Sequence, residues 1–176
     1  MNWSEKCSKI TTIVLDVDGV LTDGRIGYRD NGDEIKFFDV KDGHGIVLAR
    51  RAGLKVGILS GRKSKANAVR AAELHLDFYY EGCLNKAEGF AELLKNEGLK
   101  AEECMYIGDD LVDAQPMSCC GLAVATGDAV PELDAVADLR VKAPGGRGAV
   151  RETVELLLKE QGKWAKLLER YFGLSC

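Results

Sequence analysis

Histidine is nearly missing from this sequence: only His44 and His75 occur among 176 residues, alongside three prolines. The six cysteines, Cys7, Cys83, Cys104, Cys119, Cys120 and Cys176, are scattered without CxxC spacing. Together these absences argue against a structural zinc site, and in a reducing compartment the cysteines read as free thiols, several of them core packing. No run of lysines or arginines interrupts a formal net charge of −4, so the electrostatic footprint of a nucleic-acid binder is absent. No apolar run approaches the roughly 20 residues needed to span a bilayer, and Met1-Asn2-Trp3-Ser4-Glu5-Lys6 lacks the apolar stretch of a signal peptide. The expectation is a cytoplasmic protein with neither nucleic acid nor membrane as partner. What is present is a hydrophobic fraction of 46%, ample for a core at this length, and the reading is one domain over 1–176.

Short apolar runs alternate with amphipathic stretches along the chain, which predicts an α/β fold with a central parallel sheet flanked by helices. The first run, Ile10 to Leu15, is short and rich in β-branched residues, and it ends in Asp16-Val17-Asp18-Gly19. Such a run is a buried strand that carries two carboxylates to its C-terminal end. Residues 24–40 suggest a β-hairpin insertion, with Asn31-Gly32 supplying the positive φ angles of a tight turn. A helix over 42–51 stopped by Gly53 and a strand over 54–59 follow, the strand ending at Ser60-Gly61-Arg62. Residues 63–74 have helical spacing and 78–80 form a short strand. Asn85 and Glu88 read as a capping box opening a helix that runs to Gly98, with Lys86 in its first turn. Further strands are expected at 104–107, ending in Gly108-Asp109-Asp110, at 121–125, and near Leu139 after a weak helix at Pro131. The chain then passes Pro144-Gly145-Gly146-Arg147-Gly148 and finishes in helical sequence.

In an open α/β sheet, ligands collect beyond the carboxyl ends of the strands, and here those ends carry Asp16 and Asp18, Ser60, and Asp109 and Asp110. A DxDG tetrapeptide alone is an ordinary turn sequence. Four carboxylates converging at one sheet edge, however, repel one another unless a cation is bound, and hard oxygen donors without histidine point to Mg²⁺. Gly57-Ile58-Leu59-Ser60-Gly61-Arg62-Lys63-Ser64 looks superficially like a P-loop. It is one residue short between its glycines, has Arg62 at the lysine position, and follows a strand pattern rather than a glycine-rich loop.

In order and spacing, Asp16-Val17-Asp18-Gly19-Val20, Ser60-Gly61, Lys86 and Gly108-Asp109-Asp110-Leu111-Val112-Asp113 resemble the four motifs of haloacid dehalogenase superfamily phosphatases. The resemblance implies a three-layer Rossmann-like fold. It also implies that Asp16 is the nucleophile, Asp18 the general acid and base, Ser60 (with Gly61) a phosphate-binding element, and Lys86 the balancing cation. Mg²⁺ would be held by Asp16, the backbone carbonyl of Asp18, and Asp109, with Asp110 and Asp113 completing or orienting its shell.

The resemblance extends over about residues 10–162 to the capless phosphatases of 3-deoxy-D-manno-octulosonate 8-phosphate. It is carried by Asp23-Gly24, Val40-Lys41-Asp42-Gly43-His44-Gly45-Ile46, Gly61-Arg62-Lys63 and Gly145-Gly146-Arg147-Gly148-Ala149-Val150-Arg151-Glu152. That group implies a sugar acid phosphate as substrate, a homotetramer whose hairpin and C-terminal segment help close a neighbouring site, and a place in lipopolysaccharide biosynthesis. Arg62, beside Ser60, is a candidate for the substrate carboxylate through a bidentate contact, and Arg147 is a second. Two alternatives stand: a phosphatase of 2-keto-3-deoxynonulosonate 9-phosphate, whose relatives tend to carry Glu at the position of Arg62, and a non-catalytic oligomerisation domain of the same fold. Residues 163–176 extend beyond the usual end of the group. Trp164, Leu167, Leu168, Tyr171 and Phe172 fall at helical spacing there, predicting an amphipathic helix.

Overall fold

The computed structural model describes residues 2–173. Its first element is one the sequence pattern does not announce, helix α1 (Trp3–Lys9), which is too short to display a period. It is set by a capping box: the Asn2 side chain accepts the Glu5 N–H, and the Glu5 carboxylate accepts the Asn2 N–H. Strand β1 (Thr12–Leu15) follows, then the hairpin strands β2 (Gly27–Tyr28) and β3 (Glu34–Ile35), helix α2 (Val40–Arg51), β4 (Lys55–Leu59), α3 (Lys65–Glu73) and β5 (Phe78–Tyr80). The second half comprises α4 (Lys86–Glu97), β6 (Cys104–Gly108), α5 (Ala114–Cys119), β7 (Leu122–Ala125), β8 (Leu139–Arg140), α6 (Ala149–Glu160) and α7 (Trp164–Phe172). The expected weak helix at Pro131 is a 3₁₀ turn, Pro131–Ala135.

The six main strands form one parallel sheet in the order β5-β4-β1-β6-β7-β8. Successive strand residues point to opposite faces, which divides the apolar core into two layers. Ile13 and Leu15 of β1 pack with α1, α2, α3 and α6 on one side. Val14, between them, packs with Phe90 and Leu93 of α4 and Met117 of α5 on the other. Burial on both faces explains why these strands read as continuous apolar runs rather than alternating ones. Among the described residues no helix is long and apolar enough to cross a membrane.

Two local expectations are corrected. The hairpin is present, but its loop occupies residues 29–33 and only Gly32 adopts a positive φ, of 82°. Asn31 instead uses its side chain, which accepts the Asp33 N–H and donates to the Asp33 carboxylate. At α4, Asn85 caps as expected by accepting the Ala87 and Glu88 N–H groups. The Glu88 carboxylate, however, accepts from the Asn85 side-chain amide at 2.8 Å rather than from its backbone, so the reciprocal box is not made.

A buried carboxylate fixes the sheet's helical layer. Asp42, in the first turn of α2, accepts the backbone N–H groups of Gly148 at 3.0 Å and Arg151 at 2.8 Å, satisfying orphan donors where α6 begins. The preceding glycine-rich 144–148 segment is held against the turn after β1 by the Gly146 N–H, which donates to the Val20 carbonyl at 2.9 Å. A Cβ on Gly145 would lie 1.8 Å from the Gly19 carbonyl oxygen, so only glycine permits that approach. The terminal helix α7 forms as the spacing predicts: Trp164 and Leu167 pack on the core, while Phe172 is exposed. Residues 174–176 of the predicted tail, Cys176 included, lie outside the described residues.

Candidate active site

Strands β4, β1 and β6 are neighbours, and their parallel register brings Leu15 opposite both Ile58 and Ile107. Each strand therefore ends within about one residue of the same level, and parallel strands lie only about 4.8 Å apart. Asp16, Ser60 and Asp109 emerge there side by side, with the Asp16 N–H still bonded to the Ile107 carbonyl at 3.1 Å. Lys86 reaches the same edge from the first turn of α4.

The centre is a buried charge cluster. Lys86 Nζ lies 2.8 Å from Asp16 Oδ2 and 2.6 Å from Asp113 Oδ1, and all three side chains are almost completely buried. Asp113 also accepts the Tyr106 hydroxyl proton at 2.8 Å and the backbone N–H groups of Asp109 and Asp110 through its other oxygen. Four donors occupy Asp113, so its observed work is to fix Lys86 and the 109–110 backbone. Burial opposes the charge on Lys86, but Asp16 and Asp113 together outweigh it and hold the ammonium above its ordinary pKa. Asp16 moves upward because burial disfavours its anion, an effect that Lys86 offsets and Asp113 adds to.

Asp16, Asp109 and Asp113 each present an oxygen such that all three lie within 4.8 Å of one another. Asp109 Oδ1 is buried and has no hydrogen-bond partner. Buried carboxylate oxygens are rarely left so, because the unmet desolvation is costly. Gly19, at φ +90°, leaves room for this carboxylate: a Cβ there would sit 1.9 Å from Asp109 Oδ2. Burial, then the nearby Asp16 and Asp113, push Asp109 up to about 8. An orphaned oxygen in an all-carboxylate, histidine-free group fits a hard divalent cation. Asp110 is not brought into this group; its carboxylate caps the following 3₁₀ turn by accepting the Leu111 N–H.

The raised carboxyls set a pH dependence. In the unfolded chain Asp109 titrates near 3.8, in the folded chain at about 8, so between these values the native state keeps a proton that the unfolded state has released. Stability from this group is fully present below the lower value and is lost as pH rises through the upper one. With chelator present, the melting temperature is expected to fall from about pH 5 to about 8 more steeply in the unmutated chain than in Asp109→Asn, and Mg²⁺ should remove the difference. Identical pH profiles for the two chains in chelator would contradict this.

Asp18 lies in a second ion-pair group. Lys36, whose side chain is wholly buried, places its Nζ 2.6 Å from Asp18 Oδ1. The Arg62 guanidinium stands 3.9 Å from the other Asp18 oxygen, donates to Glu34 Oε1 at 2.7 Å, and reaches the Tyr28 hydroxyl at 3.3 Å. The hairpin is thereby clamped over Asp18. Ser60 is buried, and its hydroxyl bonds the backbone of Arg62 at 3.2 and 3.3 Å, while Gly61 stays open beside it. Arg147 is largely exposed, with Asp23 as its neighbour at 3.7 Å. Lys36, Glu34 and Tyr106 are participants that the sequence pattern does not single out. Lys36 arrives through the fold-back of the hairpin, and a lone lysine in a polar segment carries no local signal.

The sequence pattern of the haloacid dehalogenase-like hydrolases matches residues 59–144. The chain is 45% identical over 158 residues to the 3-deoxy-D-manno-octulosonate 8-phosphate phosphatase of Escherichia coli (strain K12), covering 90% of this chain and 84% of that protein. It is 40% identical to the phosphatase of the same description from Haemophilus influenzae, covering 90% of this chain and 88% of that one. The fold superposes with a TM-score of 0.92 and 34% identity on the Moraxella catarrhalis 3-deoxy-D-manno-octulosonate 8-phosphate phosphatase, covering 96% and 97% of the two chains. That crystal structure is a complex with a magnesium ion, a phosphate ion and a KDO molecule.

Proposed function

The chain belongs to the haloacid dehalogenase-like hydrolase family and is a phosphoric monoester hydrolase, and we propose that it hydrolyses 3-deoxy-D-manno-octulosonate 8-phosphate through an aspartyl-phosphate on Asp16. The observation that carries the chemistry is the buried Asp16 carboxylate 2.8 Å from Lys86 with the orphaned Asp109 oxygen beside it. A carboxylate meets a dianionic phosphoryl group productively only where cations offset the repulsion. Mg²⁺ would be held by Asp16, Asp109 and the backbone carbonyl of Asp18 and would supply charge neutralisation on the phosphoryl oxygens, with Asp113 orienting that shell through the Asp109 backbone it holds.

In the first half-reaction an Asp16 oxygen attacks phosphorus, the ester P–O bond breaks, and Asp18 gives its proton to the leaving alkoxide. In the second, water attacks phosphorus, Asp18 takes a water proton, and the bond to Asp16 breaks to release phosphate. Lys86 stays charged throughout and is held in place by Asp113. Ser60 and the open backbone at Gly61 bind phosphoryl oxygens. Lys36 anchors the Asp18 carboxylate, so that its reach is fixed by the hairpin rather than by a free rotamer.

Similarity to the Escherichia coli and Moraxella catarrhalis enzymes supports the eight-carbon acid as substrate. Arg62 is suited to its carboxylate, because Glu34 and Tyr28 hold the guanidinium while leaving part of it exposed. Arg147 is the second cation for that role. On this proposal the protein is a single domain that assembles as a homotetramer and works in the cytoplasm in lipopolysaccharide synthesis. The nine-carbon 9-phosphate is the rival substrate, and a non-catalytic scaffold the rival class.

The test compares kcat/KM for the eight-carbon acid, the nine-carbon acid and p-nitrophenyl phosphate, using unmutated protein and Arg62→Glu. The unmutated chain should prefer the eight-carbon acid. Arg62→Glu, which sets a third carboxylate beside Glu34 and Asp18, should cost about 10²-fold or more on that substrate and much less on p-nitrophenyl phosphate, which has no carboxylate to bind. Equal losses on both would make Arg62 a hairpin clamp only. Preference for the nine-carbon acid would overturn the substrate assignment, and silence on every substrate would favour the scaffold.

A further inference from the structure

Away from the strand ends, the last turn of α2, the 162–163 link and one face of α7 border a half-open cavity of about 530 Å³, lined by Ala52, Gly162 and six larger residues, Arg51, Lys163, Lys166, Leu167, Arg170 and Tyr171. Four of these six side chains are cationic in a chain whose net charge is −4. None of the four takes part in an ion pair among the described residues, whereas Arg50, Arg151 and Lys159, the neighbouring cations on α2 and α6, have carboxylate partners. Lys166 and Arg170 stand one turn apart, a spacing at which like charges on a helix repel. Helical geometry places residues 163, 166, 167, 170 and 171 on a single arc. Trp164 lies outside that arc, and its ring takes Arg151 and Lys159 on the α6 side.

The cavity is also built rather than merely charged. The Tyr171 hydroxyl accepts from Arg51 at 2.7 Å and contacts His44 Nε2 at 3.0 Å, which orients the guanidinium and ties α7 to α2. Leu167 packs against the core and supplies an apolar wall. A volume of this size, with an apolar floor and a few convergent polar groups, is that of a small-molecule site. Clustered cations without a carboxylate partner among the described residues are relieved by an anion, and arginine and lysine together suit phosphate oxygens.

We propose that this α2–α7 cavity is a second anion site, separate from the Asp16 centre, which binds a small soluble metabolite carrying phosphate groups. Its concavity suits a compact ligand rather than a flat anionic bilayer, and none of its residues takes part in the chemistry assigned to Asp16.

Binding is tested on the full chain by calorimetry with inorganic pyrophosphate in the absence of added metal, followed by amide NMR to locate the perturbation. Saturable binding with shifts at Ala52, Gly162 and Lys166 is expected. It should persist in Asp16→Asn and weaken by at least about tenfold in Lys166→Glu/Arg170→Glu. The double variant should retain the circular dichroism of the parent, and Lys166→Ala/Arg170→Ala serves if the charge reversal perturbs α7. Absence of saturable binding, binding lost in Asp16→Asn but kept in the double variant, or capture by phosphatidylglycerol vesicles with no response to pyrophosphate would each overturn the proposal.

Discussion

Replacing Asp16 with Asn is expected to lower kcat by about 10⁴-fold or more, the scale on which removal of a single essential nucleophile or triad member acts. The amide is nearly isosteric but is no nucleophile toward phosphorus, so no phosphoryl-enzyme can form. Its effect on the fold should be small and in the opposite direction. Burial disfavours the Asp16 anion, and the neutral amide removes that burden while its oxygen can still accept from Lys86. Lys86 retains Asp113 at 2.6 Å in either chain. A melting temperature equal to or above that of the parent, together with loss of phosphate release, is the predicted pair of results. Substantial residual turnover would place the nucleophile elsewhere.

Lys86→Met carries the largest expected cost in stability. The ammonium is the shared partner of two buried carboxylates, Asp16 and Asp113, and an uncompensated buried charge is far more expensive than the pair is favourable. The loss should be about 3–5 kcal/mol by chemical denaturation at neutral pH. Turnover should fall by at least about 10²–10³-fold, since a preorganised positive group at the phosphoryl is also gone. These two effects separate in the double variant Lys86→Met/Asp113→Asn. Neutralising Asp113 removes one of the orphaned charges, so much of the stability should return while activity does not. Recovery of both would reduce Lys86 to a structural counter-ion.

The sheet was legible because its strands are buried on both faces. Ile10 to Leu15 reads as an unbroken apolar run for that reason, and parallel register then converts three separate run-endings into one edge carrying Asp16, Ser60 and Asp109. Lys86 was legible through the cap at Asn85, which fixes the residue after it in the first helical turn. What sequence could not supply are relations made by tertiary closure. Lys36 reaches Asp18 only because the hairpin folds back over the strand end. Asp113 is the same residue type as Asp109, yet four donors converge on it, and Tyr106, one of them, arrives from inside β6. The Asn31 turn and the Asn85–Glu88 contact show the same limit locally, where residue type predicted a cap or turn but not which atom would serve. Helix α1, at seven residues, offers no period to read.

In the proposed mechanism Asp16 carries the phosphoryl group, and chemical trapping reads out which residue does so. Protein turning over 3-deoxy-D-manno-octulosonate 8-phosphate with Mg²⁺ is acid-quenched, reduced with borohydride and digested, and the peptide containing residues 12–18 is sequenced by mass spectrometry. Reduction of an acyl phosphate converts aspartate to homoserine, and the predicted result is homoserine at position 16, absent when substrate or Mg²⁺ is withheld. Homoserine at another aspartate would place the nucleophile there, and phosphate release in full with none formed anywhere would exclude an aspartyl-phosphate.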